Sequence, residues 1–212
     1  MLDSFIAGCI SGIVQTIIGY PLDTLKVRQQ NITKSRSNLF AGMKYPLIQT
    51  PFLTGVCFFT DNIMFNYTNN MYLSGAFSGL VSSIIICPLD YYKIQQQEQK
   101  KICINKSNIL YSFKHINITI SREVPAYFIL FSTYRTLQDN NVNTFMSGGI
   151  AGALSWLLTY PQDTVKSRLQ SNKAHNIMEA LRMGKLFTGI QFCLYRAFLV
   201  NSVGFIVYKN CM

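Results

Sequence analysis

The sequence predicts an all-α membrane protein in which six transmembrane helices form three helical hairpins around a pseudo-threefold axis. Three observations carry this prediction. Apolar residues make up 49% of the 212 residues and charged residues only 13%, a balance that favours lipid over water. No charge falls between Asp3 and Asp23, from Tyr67 to Leu89 or from Asn140 to Gln162, and each run can cross about 30 Å of hydrocarbon as a helix. The third observation is an internal repeat. Pro21-Leu22-Asp23-Thr24-Leu25-Lys26 with Gln30 returns as Pro88-Leu89-Asp90-Tyr91-Tyr92-Lys93 with Gln97, and as Pro161-Gln162-Asp163-Thr164-Val165-Lys166 with Gln170, at intervals of 67 and 73 residues.

The repeat is longer than the box, because Gly8 and Gly12, Gly75 and Gly79, and Gly148 and Gly152 stand at a constant distance before each proline. Glycines four apart leave a flat helix face that another helix can approach closely. The repeats divide a single domain, residues 1–212, into 1–70, 71–140 and 141–212.

The spans follow in order. Span one runs from Leu2 to Gln30, with Pro21 near its end, where a proline removes one backbone bond and bends the helix. It begins so close to Met1 that no cleavable signal peptide is expected before it. Span two covers Met43 to Tyr67 and includes Pro46 and Pro51. Span three, Met71 to Gln97, repeats span one and bends at Pro88. Span four, Ile116 to Leu137, is interrupted by Arg122 and Glu123. Span five, Asn143 to Gln170, bends at Pro161, and span six, Gly189 to Asn210, contains Arg196. Only short loops are expected between them.

The net charge of +10 raises nucleic acid as a partner, but the basic residues form no stripe interleaved with aromatics. They sort by connection instead. Lys34, Arg36 and Lys44 follow span one, Lys100, Lys101, Lys106 and Lys114 follow span three, and Lys173, Arg182 and Lys185 follow span five. The opposite connections contain only Asp139, so both termini are expected on the less basic face. Cys9, Cys57, Cys87, Cys103, Cys193 and Cys211 show no metal-like spacing and read as small apolar side chains. No nucleophile with a base, metal cluster or phosphate loop is visible, so neither catalysis nor a metal nor a cofactor is expected. His115 and His175 fall in loop-like stretches.

Within each box, the acid and the lysine three residues on share one side of the helix. A single copy reads as a surface ion pair of little energy. Six such groups near hydrocarbon need partners, because each costs up to about 2.5 to 3.5 kcal/mol unpaired at a helix centre. A cyclic arrangement closes Asp23 with Lys93, Asp90 with Lys166 and Asp163 with Lys26, with Gln30, Gln97 and Gln170 placed to brace the pairs. Such a ring is either a gate that opens to water or a permanent clasp.

The even spans register on one another. Asp61, Arg135 and Lys209 recur at 74-residue intervals near their far ends. Thirteen residues earlier stand Ile48, Arg122 and Arg196, followed by Gln49, Glu123 and Ala197. Thirteen residues are about 20 Å of helix, which places two arginines and a glutamate deep in the membrane.

The boxes in triplicate, the preceding glycine pairs and the hairpin order resemble the mitochondrial carrier family of solute exchangers over essentially the whole chain. Arg122-Glu123-Val124-Pro125-Ala126-Tyr127 and Arg196-Ala197-Phe198-Leu199-Val200-Asn201 agree with this. The resemblance implies a six-helix barrel in the mitochondrial inner membrane with alternating access and both termini toward the intermembrane space. It also implies a protein that functions as a monomer among lipids, cardiolipin being a candidate partner. Family repeats are longer, and the shortening here falls on the basic loops, leaving eleven residues between Gln30 and Gly42.

The family's substrate contacts fall on the layer of Ile48, Gln49, Arg122, Glu123, Arg196 and Ala197. An arginine suits a carboxylate and an adjacent acid suits a cationic group, which ranks a basic or zwitterionic amino acid or an acylcarnitine first. Mutual neutralisation of Arg122 and Glu123 is the simpler reading. A nucleotide carrier is the alternative, although Glu123 opposes phosphate. A carrier-derived receptor or scaffold is the alternative of another class.

Carriers also close a second ring at the far ends of the even helices. Here Asp61 faces Arg135 and Lys209, so at most one good pair is expected. Counting ion pairs alone, the ligand-free protein is expected to be open at that end and closed at the ring of boxes.

Overall fold

The computed structural model describes residues 2–31, 43–97, 113, 116–170, 177–184, 186–187 and 190–212. Among them lie seven helices: α1 (Leu2–Asn31), α2 (Lys44–Thr68), α3 (Met71–Gln97), α4 (Ile116–Asp139), α5 (Thr144–Gln170), α6 (Ile177–Arg182) and α7 (Ile190–Cys211). The six long helices begin and end within two residues of the expected spans. Helix α6 departs from the expectation of short connections alone, since it occupies the segment between the last two long helices. Pro21, Pro88 and Pro161 lie inside α1, α3 and α5, which continue past them.

Each long helix packs on the one before and the one after it, and α7 returns to α1 and closes the ring. The glycine pairs determine three of these contacts. A methyl group at Gly12 would lie 2.6 Å from Pro51 Cα of α2, and one at Gly79 would lie 2.7 Å from Val124 Cα of α4. At Gly148 it would meet the Asn201 carbonyl of α7 at 2.9 Å. No side chain fits between such backbones, which is why glycine stands there.

Serines tie the other three contacts. Ser11 Oγ donates to the Gly204 carbonyl at 2.7 Å, joining α1 to α7. Ser78 Oγ donates to the Cys57 carbonyl at 2.9 Å, joining α3 to α2. Ser155 Oγ donates to the Ala126 carbonyl at 2.8 Å, joining α5 to α4. In an apolar medium these small hydroxyls hold helices together at little cost in ordered side chain.

The outward faces are the reverse of a soluble protein's. Ile6, Ile10, Ile13 and Ile17 of α1 are exposed, and so are Leu73, Phe77, Leu80 and Ile84 of α3, the same positions one repeat on. The buried faces carry Ser4, Ser11, Ser74, Ser78, Ser82 and Ser147. Apolar side chains outside and small polar ones inside suit a lipid surround. Three helical stretches among the described residues are long and apolar enough to cross a membrane: Asp3–Leu22, Met71–Leu89 and Ile190–Cys211. The charge-free run of α5 is not one of them, because glycine, serine and threonine occupy much of it.

Two tight turns join helices at one end of the ring. Asn69 adopts the left-handed conformation (φ 52°) and its N–H reaches the Phe65 carbonyl at 2.8 Å. Asn70 Oδ1 then accepts from the Tyr72 N–H at 2.9 Å, starting α3. Asn141 (φ 58°) and Asn143, whose Oδ1 accepts from the Phe145 N–H at 3.1 Å, do the same between α4 and α5. Asparagine tolerates the left-handed region and caps a helix start, so two residues suffice for the first reversal.

We expect Gly79→Val to lower the thermal unfolding temperature in detergent by the equivalent of about 1–3 kcal/mol, because the backbone it meets has nowhere to go. Leu80→Val, on the adjoining exposed face, should change it by far less in the same melting assay.

Candidate functional site: a cavity with an arginine held by two acids

Inside the ring lies a cavity of about 200 Å³ whose wall is drawn from α1, α2, α4, α5 and α7. Arg122 and Glu123 are its only charged lining residues among the described ones, and Gln15, Thr54, Trp156 and Asn201 contribute further polar atoms. Asn201 is held by its own helix, its Nδ2 donating to the Ala197 carbonyl at 2.8 Å.

Arg122 binds two acids at once. Its Nη2 donates to Glu123 Oε1, and its Nη1 donates to Asp163 Oδ1 across to α5 at 2.8 Å. The Glu123 side chain is 4% exposed, whereas that of Asp163 is 21% exposed. Arg122 Nε is buried with no partner among the described residues. One guanidinium between two carboxylates leaves this cluster with a net charge of −1.

The other expected substrate residues fall elsewhere. Ile48 is 76% exposed, Ala197 is buried, and neither they nor Gln49 and Arg196 line the cavity. A side chain at Gly19 would come within 3.7 Å of the Arg196 guanidinium, which packs on α1. Of the ring of boxes, Asp163 is described, and it bonds Arg122, the contact with Lys26 having been expected. The side chains of Asp23, Lys26, Asp90, Lys93, Lys166, Gln30, Gln97 and Gln170 lie outside the described residues, as do His115, His175 and Cys103.

The end of the cavity nearer the two asparagine turns is closed by aromatic rings. Phe58, Phe131 and Phe205, one each from α2, α4 and α7, meet edge to face with centroids 5.5, 5.3 and 6.3 Å apart. Tyr208 stacks on Phe58 at 4.0 Å and Tyr134 on Phe205 at 3.9 Å. The three phenylalanines recur at 73 and 74 residues. That spacing, within one residue of the register that aligns Asp61, Arg135 and Lys209, is the signal by which the sequence could have disclosed them.

Beyond the rings, Arg135 holds Asp61 through both oxygens, at 2.5 and 3.2 Å. It also donates to Ser74 Oγ at 2.7 Å and lies 3.9 Å over the Phe65 ring. Among the described residues Lys209 finds no acid and donates instead to Gln138 Oε1 and Thr144 Oγ1, both at 3.1 Å. One ion pair is therefore made, as the charges require. The expectation that this end stands open is nonetheless wrong. Counting ion pairs overlooked the aromatic layer, which buries three large rings and closes the end without charge.

The family model for mitochondrial carrier protein matches residues 1–50 and 137–212. The chain belongs to the mitochondrial carrier family. Among the relatives of this carrier, a mitochondrial arginine transporter of Arabidopsis thaliana is 28% identical, covering 97% of the chain and 88% of the relative. A mitochondrial basic amino acids transporter of Rattus norvegicus is 28% identical over 95% of the chain and 86% of the relative. Mitochondrial ornithine transporter 1 of Schizosaccharomyces pombe is 26% identical over 97% and 90%. The first of these alignments spans 262 positions against a chain of 212 residues, so the carrier is a shortened member.

Removing Arg135 leaves Asp61, whose side chain is 5% exposed, without its cation. We expect Arg135→Ala to cost about 3–5 kcal/mol in unfolding experiments, and Asp61→Asn combined with Arg135→Gln to recover much of that loss. In a protein whose sole cysteine is Cys57, beneath the rings, the single variant should label several-fold faster with a thiol reagent.

Proposed function

We propose that this carrier exchanges basic amino acids, arginine and ornithine among them, across the mitochondrial inner membrane by alternating access. The carrying observation is the cluster of Arg122, Glu123 and Asp163 at the cavity, with its net charge of −1. A basic amino acid carries +1, and the negative cluster attracts it. Its α-carboxylate suits Arg122 and its cationic groups suit the acids. An acylcarnitine, neutral overall, leaves the charge uncancelled, and a nucleotide adds to it. The relatives named for arginine, basic amino acids and ornithine support the same choice.

In this reading the long helices are six membrane spans, paired as repeats 1–70, 71–140 and 141–212 about a pseudo-threefold axis. The recurring glycine contacts and the repeated exposed stripe favour it. Asp61, Arg135, Lys209 and the aromatic rings form the gate toward the intermembrane space, where both termini lie. The acids and lysines of the boxes, braced by Gln30, Gln97 and Gln170, form the matrix gate. Ile48, Gln49, Arg196 and Ala197 join the substrate path when that matrix end closes. The protein acts as a monomer among lipids, without cofactor or enzymatic step.

Purified protein in liposomes loaded with arginine, an acylcarnitine or a nucleotide tests the proposal. Arginine counter-exchange should far exceed the other two, and Arg122→Ala should reduce it by at least about a hundredfold, the loss of a charge-assisted contact worth near 3 kcal/mol. Equal exchange of all three, or none by well-folded protein, would favour a scaffold or a different substrate.

A further inference from the structure

The contact between Arg122 and Asp163 joins two parts of the molecule that the sequence assigns to different tasks. Arg122 faces the cavity, while Asp163 is the acid of the third box, two residues past Pro161. We infer that Asp163 stands in for the substrate's carboxylate on Arg122, and that a substrate carboxylate displaces it and releases it for the ring of boxes. The inference rests on the reading of the cavity as a basic amino acid site.

The geometry favours Asp163 as the acid that leaves. Glu123 adjoins Arg122 on the same helix and its side chain is 4% exposed, so it has nowhere to go. Asp163 reaches over from α5, accepts one bond from Arg122 at 2.8 Å, and its side chain is 21% exposed. A carboxylate approaching through the cavity would replace one charge-assisted bond with another, and Arg122 Nε, buried without a partner among the described residues, offers a further donor for a bidentate grip. The exchange conserves the ion pairing of Arg122 while freeing the Asp163 carboxylate on α5. Substrate binding and release of a gate acid thereby become one event, so an empty cavity withholds Asp163 from the ring. This couples two sites through a shared partner, as linkage requires.

The test compares arginine with agmatine, which keeps the guanidinium and amine but lacks the carboxylate, by calorimetric binding to the purified full-length carrier. In Asp163→Asn both ligands lose one attractive negative charge, but arginine alone is freed from competition with an internal acid, so the arginine-to-agmatine affinity ratio should rise by about fivefold or more. Agmatine has no carboxylate with which to compete, and its affinity should fall with the lost charge. Asp163→Ser should behave alike and serves if the first variant folds poorly. Parallel shifts for both ligands, which leave the ratio unchanged, would overturn the inference while leaving basic amino acid binding intact. An equal change in the arginine-to-agmatine ratio in Asp90→Asn would also overturn it, because the effect would then belong to the boxes in general. Failure of the wild-type protein to bind arginine would remove the underlying reading and this inference with it.

Discussion

A single guanidinium governs the interior of this carrier. Arg122 is a cation on the cavity wall, and a charge so placed is tolerated only if carboxylates surround it. Glu123 supplies one from the same helix and Asp163 the other from α5. The second contact ties α4 to α5, gives the cluster its negative balance and joins the cavity to a box acid. Neutralisation of Arg122 by Glu123 alone would have left the empty cluster without net charge.

Such a cluster needs a scaffold that brings helices together closely without filling the centre. Glycine pairs on α1, α3 and α5 let each approach its successor backbone to backbone, and serines fasten the remaining contacts. Small residues inside and branched apolar residues outside leave room for a cavity within a ring only six helices around. The two ends are built differently. Near the asparagine turns, aromatic rings do most of the closing and one ion pair assists. The boxes at the opposite end carry charge in every repeat.

Much of this was legible in the sequence because the determinants are local and recur. The charge-free runs, the repeated boxes with their glycine pairs and the register of the even spans bounded all six long helices to within two residues. Arg122 and Glu123 stood out as costly charges in an apolar span, and both line the cavity. The rest depends on juxtaposition. Nothing local pairs Arg122 with Asp163, 41 residues away on another helix. Gln15, Trp156 and Asn201 reach the wall through the rotation of their helices, which spacing alone did not resolve. The aromatic closure escaped notice because phenylalanine in a membrane span looks like any lipid-facing residue until three of them are placed in one register. Helix α6 is only six residues long and lacks the periodicity that identifies longer helices.

The central claim is that the negative balance of the cluster around Arg122 selects a cationic amino acid. Arginine and citrulline have nearly the same shape and differ by the charge of the side-chain tip, so their competition for uptake into proteoliposomes isolates that balance. The account predicts a preference for arginine of at least about tenfold, equivalent to 1.4 kcal/mol, that shrinks markedly in Glu123→Gln. Equal competition by citrulline in the wild-type protein would contradict it.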